Sequence, residues 1–360
     1  MTVDMTEGEI VAWRRRASGL TGAPALDASD VVRRLLAVQA QDHQPALWSI
    51  GQRCAESSQV GLDRWFDAGG AVRTHVLRPT WHLVAPEDLR WLLTLTAPRV
   101  QQTCGTTYRQ CGLDAEVRDR AARVIARALS DAAPMTRAEL AAVLVGDGFN
   151  PEPVAIGFLL MHAELEQVIC SGPMAGRKHT YALMDDRVPE APALQHPDAV
   201  VRLIRQYLRG HGPASVADMA WWSSLTRSTL QAGIEVLAGE LDRIELAGTT
   251  YWAAGEPAER VAAPRVDLLP TFDEYIIGFS RTRRLVVPGA MPETSPGRFT
   301  NTVVLNGLVR GGWARRFRGR QVDVTVTLAH DLSPAEQEAL RRAVDRYGSF
   351  LARDANLMEC

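Results

Sequence analysis

The stretch Pro134-Met135-Thr136-Arg137-Ala138-Glu139 decides the architecture, because it heads the most regular part of the chain. Thr136 and Glu139 have the spacing of a capping box, in which hydroxyl and carboxylate satisfy the first amides of a helix reciprocally. The helix so started runs to Val145 and stops at Gly146. Val117 to Leu129 upstream and Pro153 to Leu165 downstream also read as helices. Val168-Ile169-Cys170 and His179 to Leu183 then bracket Ser171-Gly172-Pro173-Met174-Ala175-Gly176, a hairpin with a glycine-rich tip.

Three helices followed by a hairpin are the winged-helix plan, and the plan recurs. Past the linker prolines Pro189, Pro192 and Pro197, Asp198 is placed to cap a helix from Val200 to Leu208. Ser215 and Asp218 repeat the capping box, Thr226 caps a helix through Leu237, and Arg243 to Leu246 with Thr250 to Trp252 repeats the hairpin. Toward the N-terminus a looser copy appears. A helix from Thr6 to Arg16, a helix from Asp30 to near Ala40 and a short helix at Leu62 to Phe66 precede strands Val72 to Leu77 and Thr80 to Val84; a helix from Glu87 to about Thr103 follows. Such internal repetition points to tandem units.

The last quarter changes character. Val266 to Tyr275 reads as a strand running into a turn, followed by a Pro- and Gly-rich loop from Pro288 to Gly297. Strands Thr302 to Leu305, Val309 to Phe317 and Gln321 to Thr327 are joined through Asn306-Gly307, a strong two-residue hairpin turn, and Arg318-Gly319. A helix from Pro334 to Leu351 closes the chain. The expected fold is α+β: winged-helix units at 1–112, 113–190 and 191–262, then a small β-barrel-like unit at 263–360.

Composition limits the function classes. The chain has 360 residues, 46% hydrophobic and 23% charged, with net charge −2. That balance argues against nonspecific coating of nucleic acid. Neither a secretion signal nor an apolar run of membrane-spanning length is evident, so a cytoplasmic location is expected by default. Five cysteines without a C-x-x-C pair and scattered histidines favour reduced thiols and no metal site.

Winged helices make DNA the first partner to consider. The helix Pro153 to Leu165 is poor in basic residues and reads as core. Positive charge sits instead on Arg281-Thr282-Arg283-Arg284 and on the hairpin containing Arg310, Trp313, Arg315, Arg316, Phe317, Arg318 and Arg320. Arginines can clamp phosphates there while an aromatic stacks on a base; the alternative is a solvated hairpin with two core aromatics.

The unusual stretch is Gln39-Ala40-Gln41, at the end of the second helical segment. Side chains two residues apart diverge on a helix but share a side in extended backbone. The two glutamines therefore converge only if the helix gives way between them, with Ala40 turned into the packing. Pro45 favours such a break. Surface glutamines at a helix end are the plainer alternative.

Gln39-Ala40-Gln41, Leu77-Arg78-Pro79-Thr80-Trp81-His82-Leu83-Val84, Leu268-Leu269-Pro270-Thr271-Phe272-Asp273-Glu274-Tyr275 and the tandem units together resemble the AlkZ-like DNA glycosylases of the winged-helix HTH_42 superfamily. The likeness extends over nearly the whole chain. The related YcaQ-like crosslink glycosylases end the glutamine triplet in aspartate, so Gln41 places this chain on the AlkZ-like side, although Ala40 is small for the middle position. The resemblance implies three winged helices in a C-shape around double-stranded DNA. It also implies metal- and cofactor-independent excision of N7-alkylated purines, with crosslink repair and resistance to azinomycin-type antibiotics as the associated role. Gln39 and Gln41 would then be catalytic, His82 and Asp273 candidates for lining the same cavity, and a monomer sufficient. His82 as a core histidine and Asp273 as a turn cap are the structural alternatives. A non-enzymatic DNA-binding regulator and a protein-binding scaffold are the competing functions.

Overall fold

The computed structural model describes residues 2–130, 132–192, 194–258, 263–288 and 301–359. Most of the expected Pro- and Gly-rich loop lies outside those residues, as does Cys360. After β1 (Thr2–Val3) and α1 (Glu7–Ala17), the first unit runs α2 (Ala28–Leu35), β2 (Ala37–Gln39), α3 (His43–Gly51), α4 (Gln59–Asp67), β3 (Val72–Val76), β4 (Arg78–Val84) and the long α5 (Pro86–Gln110). The second runs α6 (Ala115–Ser130), β5 (Met135–Thr136), α7 (Arg137–Gly146), α8 (Pro153–Leu165), β6 (Ile169–Ser171), β7 (Thr180–Leu183) and the short α9 (Met184–Arg187). The third runs α10 (His196–His211), α11 (Val216–Ser223), α12 (Arg227–Val236), β8 (Asp242–Leu246) and β9 (Thr249–Ala253).

The repeat is closer than element order alone implies. In the first two units a short strand after the first helix pairs with the second hairpin strand, giving sheet orders β2-β4-β3 and β5-β7-β6. The third reduces that strand to a single bridge, Ala214 to Trp252. In the second and third units the chain passes straight from this strand into a helix, through the capping boxes of Thr136–Glu139 and Ser215–Asp218. The first unit instead inserts Ala40 and Gln41 before Asp42, which precedes α3 without a side-chain cap bond. The glutamine triplet thus occupies the position where the other copies place a helix cap.

The helix expected to reach Ala40 ends at Leu35. Asp27 caps it, accepting from the Asp30 amide, but Leu36 adopts φ +63°. That conformation costs on the order of 1–3 kcal/mol in a leucine. It sends Leu35 and Leu36, both fully buried, into two different cores, and burying each contributes a comparable amount. The extended backbone therefore begins before Gln39 rather than between the two glutamines. Asp198 is another difference: the helix begins earlier, at His196, so the carboxylate lies in the first turn and is no cap.

The N-terminal segment packs away from the unit it precedes. β1 pairs in parallel with β8, and Ile10, Val11 and Trp13 share a core with Ile244, Tyr251 and Tyr275. Arg14, in the last turn of α1, is fully buried, donating to the Pro213 and Thr282 carbonyls.

The last unit comprises β10 (Val266–Leu269), α13 (Glu274–Ile277), a 3-10 turn Arg281–Leu285, β11 (Thr302–Leu305), β12 (Leu308–Arg318), β13 (Gln321–Leu328), α14 (Pro334–Leu351) and β14 (Asp354–Glu359). Its sheet is ordered β10-β11-β12-β13-β14, with β14 parallel to β13. Among the described residues β10 and β14 do not pair; α14 packs against both edge strands instead. Leu340, Val344, Tyr347 and Phe350 of the helix meet Leu268, Trp313, Val322 and Val324 of the sheet. The barrel-like expectation resolves into a half-barrel covered by a helix, within the expected α+β winged-helix repeat.

Candidate active site

β2 is an edge strand in register with β4, so Gln39 lies opposite His82. The Ala40 amide continues the ladder by donating to the Trp81 carbonyl at 2.6 Å. Ala40 is fully buried while Gln41 is exposed. The backbone is thus extended from residue 37 through 40, the geometry in which residues 39 and 41 share a side.

Both carboxamides are held on β4. Gln39 Oε1 accepts from Arg78 Nη2 at 2.9 Å, and Gln41 Oε1 accepts from the Trp81 amide at 3.4 Å. A guanidinium and a backbone N–H only donate, which assigns the oxygen of each carboxamide to that side. One lone pair of each oxygen remains, together with the NH2 donors. Arg78 Nη1 also donates to the Trp222 carbonyl at 2.6 Å, tying the first hairpin to α11.

Arg73 fixes the backbone between the glutamines. Its Nε donates to Ala40 O at 2.8 Å and its Nη2 to Gln41 O at 3.1 Å. The guanidinium lies 3.8 Å from the Trp81 ring centroid, a cation–π contact, and its Nη1 is 3.3 Å from His179 Nδ1 of the second unit. Burial lowers the Arg73 pKa to about 10, leaving it cationic at neutral pH.

Behind Gln39 stands Glu274, fully buried. Its Oε1 accepts from the Gln39 amide at 2.8 Å. Its Oε2 accepts from Trp222 Nε1 at 2.9 Å and lies 3.3 Å from His211 Nε2. One carboxylate of the last unit therefore joins β2 to α10 and α11.

His82 is near the cluster but turned to structure. Its Nδ1 lies 2.9 Å from the Thr80 carbonyl and so carries the proton, leaving Nε2 toward Arg78 at 3.4 Å. Burial first, then the Arg78 charge, holds His82 well below the usual imidazole range. A neutral ring in that tautomer supports Arg78.

Asp273 is engaged in structure as well. Its carboxylate is fully buried and forked by Arg53, at 2.8 and 2.7 Å, and accepts from Ser49 Oγ at 2.7 Å and the Tyr275 amide at 2.9 Å. Burial raises its pKa, but the Arg53 charge and these hydrogen bonds outweigh that and hold it below the usual carboxylate range. The neighbouring Glu274 is the residue that reaches the Gln39 amide. The turn-cap alternative fits Asp273: it is the N-cap of α13.

The anticipated basic pieces divide. Arg281 and Arg284 are exposed, Arg284 lying 3.7 Å from Glu7. Arg283 is half-buried and donates to the Ile276 and Phe279 carbonyls. In the hairpin, Arg316, Phe317, Arg318 and Arg320 are exposed, and Arg310 and Arg315 are half-buried. Arg318 pairs with Asp323 at 2.7 Å. Trp313 is no stacking platform: it is buried against Tyr347, and its Nε1 donates to the Leu269 carbonyl at 2.9 Å. The core alternative holds for Trp313, whereas Phe317 at the hairpin end is 51% exposed.

Sequence reasoning passed over Arg73, Arg78, Glu274, His211 and Trp222. Arg78 and Glu274 stand inside the stretches that carried the resemblance. Nothing local marks Arg73, whose role comes from strand pairing. Among the described residues no group of three His, Cys, Asp or Glu could hold a metal ion, and no helix is long and apolar enough to cross a membrane.

The chain is 27% identical over 329 residues to an interstrand DNA cross-link repair glycosylase of Streptomyces sahachiroi, covering 85% of this chain and 86% of that protein. Its fold is that of the solved DNA glycosylase AlkZ of Streptomyces sahachiroi, with TM-score 0.82, 22% identity, and coverage of 99% of this chain and 100% of that one. The profile of the family described as DNA glycosylase AlkZ-like matches residues 32–350. The span starts within α2 and takes in the glutamine triplet, the rest of the three winged units and nearly all of the helix across the half-barrel, and the chain therefore belongs to the AlkZ-like DNA glycosylase family.

Proposed function

We propose that this protein hydrolyses the N-glycosidic bond of bulky N7-alkylated purines in double-stranded DNA, interstrand crosslinks included, with Gln39 and Gln41 as the catalytic groups. In the setting of an azinomycin-type alkylating antibiotic, this activity gives self-resistance. The observation that carries the reading is the orientation of two carboxamides by donor-only partners, on one side of an extended segment.

An amide cannot remove a proton at neutral pH, so it is a poor general base. The substrate lightens the demand. N7-alkylation makes the purine cationic, and the bond from N9 to C1′ breaks with its electron pair passing to the ring, which leaves neutral. The sugar develops oxocarbenium character and a water oxygen adds to C1′, its proton passing to solvent. What remains for the protein is to position that water and to direct oxygen dipoles at the developing charge. Each carboxamide oxygen retains a lone pair for this after accepting from Arg78 or Trp81.

The partner is DNA carrying such adducts, with Arg281, Arg284, Arg316, Arg318 and Phe317 available for backbone and base contacts, and a single copy of the chain supplies every group invoked. A cytoplasmic protein has access to that substrate. Incubating the protein with duplex bearing N7-methylguanine or a bulkier N7 adduct should release the modified base and leave abasic sites. Binding without base release from any alkylated duplex would point instead to a regulator.

A further inference from the structure

We propose that Trp221 is a stacking platform for a nucleobase of the bound DNA, beside the glutamine site. Two tryptophans are adjacent in α11 and have opposite fates. Trp222 is fully buried and donates to Glu274, whereas Trp221 is 47% exposed. The Trp221 indole is nonetheless anchored, its Nε1 lying 3.3 Å from the Ile277 carbonyl at the end of α13. With the N–H satisfied, the solvent-facing part of the side chain is apolar ring, which suits stacking rather than hydrogen-bonded readout.

Its surroundings are basic. Arg283 docks on the preceding carbonyl of the same short helix, Ile276 O, at 3.0 Å. Arg99 of α5 donates to the Ser224 carbonyl, just beyond the end of α11, at 3.2 Å. Arg281 follows on the exposed side of the 3-10 turn. An exposed aromatic with arginines on the neighbouring elements is the composition that single-strand and distorted-duplex binders use, with charge on phosphates and the ring on a base. Anchoring of the indole reduces the ordering cost of such a contact.

Connectivity places the platform near the chemistry. Arg78 holds Gln39 Oε1 with one nitrogen and the Trp222 carbonyl with the other. Trp221 is the residue before it, so adding the two hydrogen bonds, the guanidinium, one Cα step of about 3.8 Å and the side chain puts its ring within about 18 Å of the Gln39 carboxamide. At about 3.4 Å of rise per base pair this is within roughly five base pairs of the bond to be cut. A base unstacked by a bulky adduct is then within reach of the indole.

The proposal rests on the reading that the chain acts on alkylated DNA, and its test is a binding measurement that excision does not enter. A fluorescein-labelled duplex carrying one 2′-fluoro N7-methylguanine nucleotide, which resists cleavage, is titrated with wild type, Trp221→Ala and Trp221→Phe across a range of salt. Trp221→Ala should bind about tenfold more weakly, within the span expected for loss of one stacked base. The slope of affinity against salt should stay unchanged, because no phosphate contact is lost. Trp221→Phe should recover most of the affinity, since it keeps a six-membered aromatic face for stacking although it loses the pyrrole half of the indole and its N–H. Wild-type affinity in Trp221→Ala, equal loss in both variants, or a shallower salt slope would each overturn the proposal. If wild type bound this duplex but released no base from the cleavable one, the glycosylase reading would fall while the stacking comparison still stood.

Discussion

Arg78 holds the carboxamide oxygen of Gln39 at 2.9 Å while its other terminal nitrogen holds the Trp222 carbonyl at 2.6 Å. One guanidinium thus sets the direction of a glutamine on β2 from a hairpin on the first unit, using the third unit as a backstop. A point charge cannot serve two acceptors with the same planar fork.

Arg78→Lys is accordingly expected to lower single-turnover excision about 100-fold, since small misplacements of a positioned group cost that much. Affinity for the lesion duplex should change little. Parallel measurement of the rate at saturating enzyme and of binding separates the two; a loss confined to binding would remove Arg78 from the positioning role.

Arg73 makes a second, independent prediction. Its grip on the Ala40 and Gln41 carbonyls holds the segment extended. Arg73→Gln should therefore reduce the excision rate by about 10- to 100-fold, from the same misplacement cost. It should also lower thermal stability, because the Trp81 cation–π contact and buried hydrogen bonds go with it, on the order of 2–4 kcal/mol. A melting curve with the kinetic assay checks both.

Asp273→Asn tests whether Asp273 is structural. It leaves Arg53 as an uncompensated buried charge, which should cost about 3–5 kcal/mol of stability. The excision rate of the folded fraction should remain near wild type. A selective loss of rate without loss of stability would return Asp273 to the reaction.

Stability should fall in acid in two stages. Burial lowers the His43 pKa to about 4 and holds His82 and His179 well below their ordinary values. The unfolded chain then takes these protons first, so stability declines as pH drops below about 6.5, the unfolded histidine value. Asp273, with its pKa depressed by Arg53, adds a further loss as pH falls below about 3.9, the unfolded value for aspartate. Denaturant melts between pH 8 and pH 3 follow both stages. The excision rate, by contrast, should be flat from pH 7 to 9, because neither carboxamide titrates and His82 stays neutral.

Legibility tracked the range of the interactions. The capping boxes at Thr136 and Ser215, the Asn306-Gly307 turn and the hairpins are local devices, and each stands where its residues place it. The early end of α2 was not readable, because Leu36 takes a positive φ for a reason found only in two separate cores. α3 was missed as well, since it starts without a side-chain cap bond and contains Pro45 in its first turn. β14 depends on a parallel partner some thirty residues earlier, and a six-residue segment with little apolar alternation does not announce it. At the site, the sharing of one side by Gln39 and Gln41 follows from their spacing once extended backbone is granted. The choice between Asp273 and Glu274 could not be made from sequence: adjacent carboxylates in one turn point to different partners, and only the packing of Arg53 against one leaves the other to Gln39.

The central claim is that two carboxamides perform the excision. Its most direct test is single-turnover release of N7-methylguanine from duplex DNA by Gln39→Ala and Gln41→Ala, each shown by circular dichroism and thermal melting to retain the fold. Loss of excision by about 100-fold or more in each variant, with lesion binding preserved, is the expected result, in line with removal of a single electrostatic catalytic group. Wild-type rates in both variants would contradict the account.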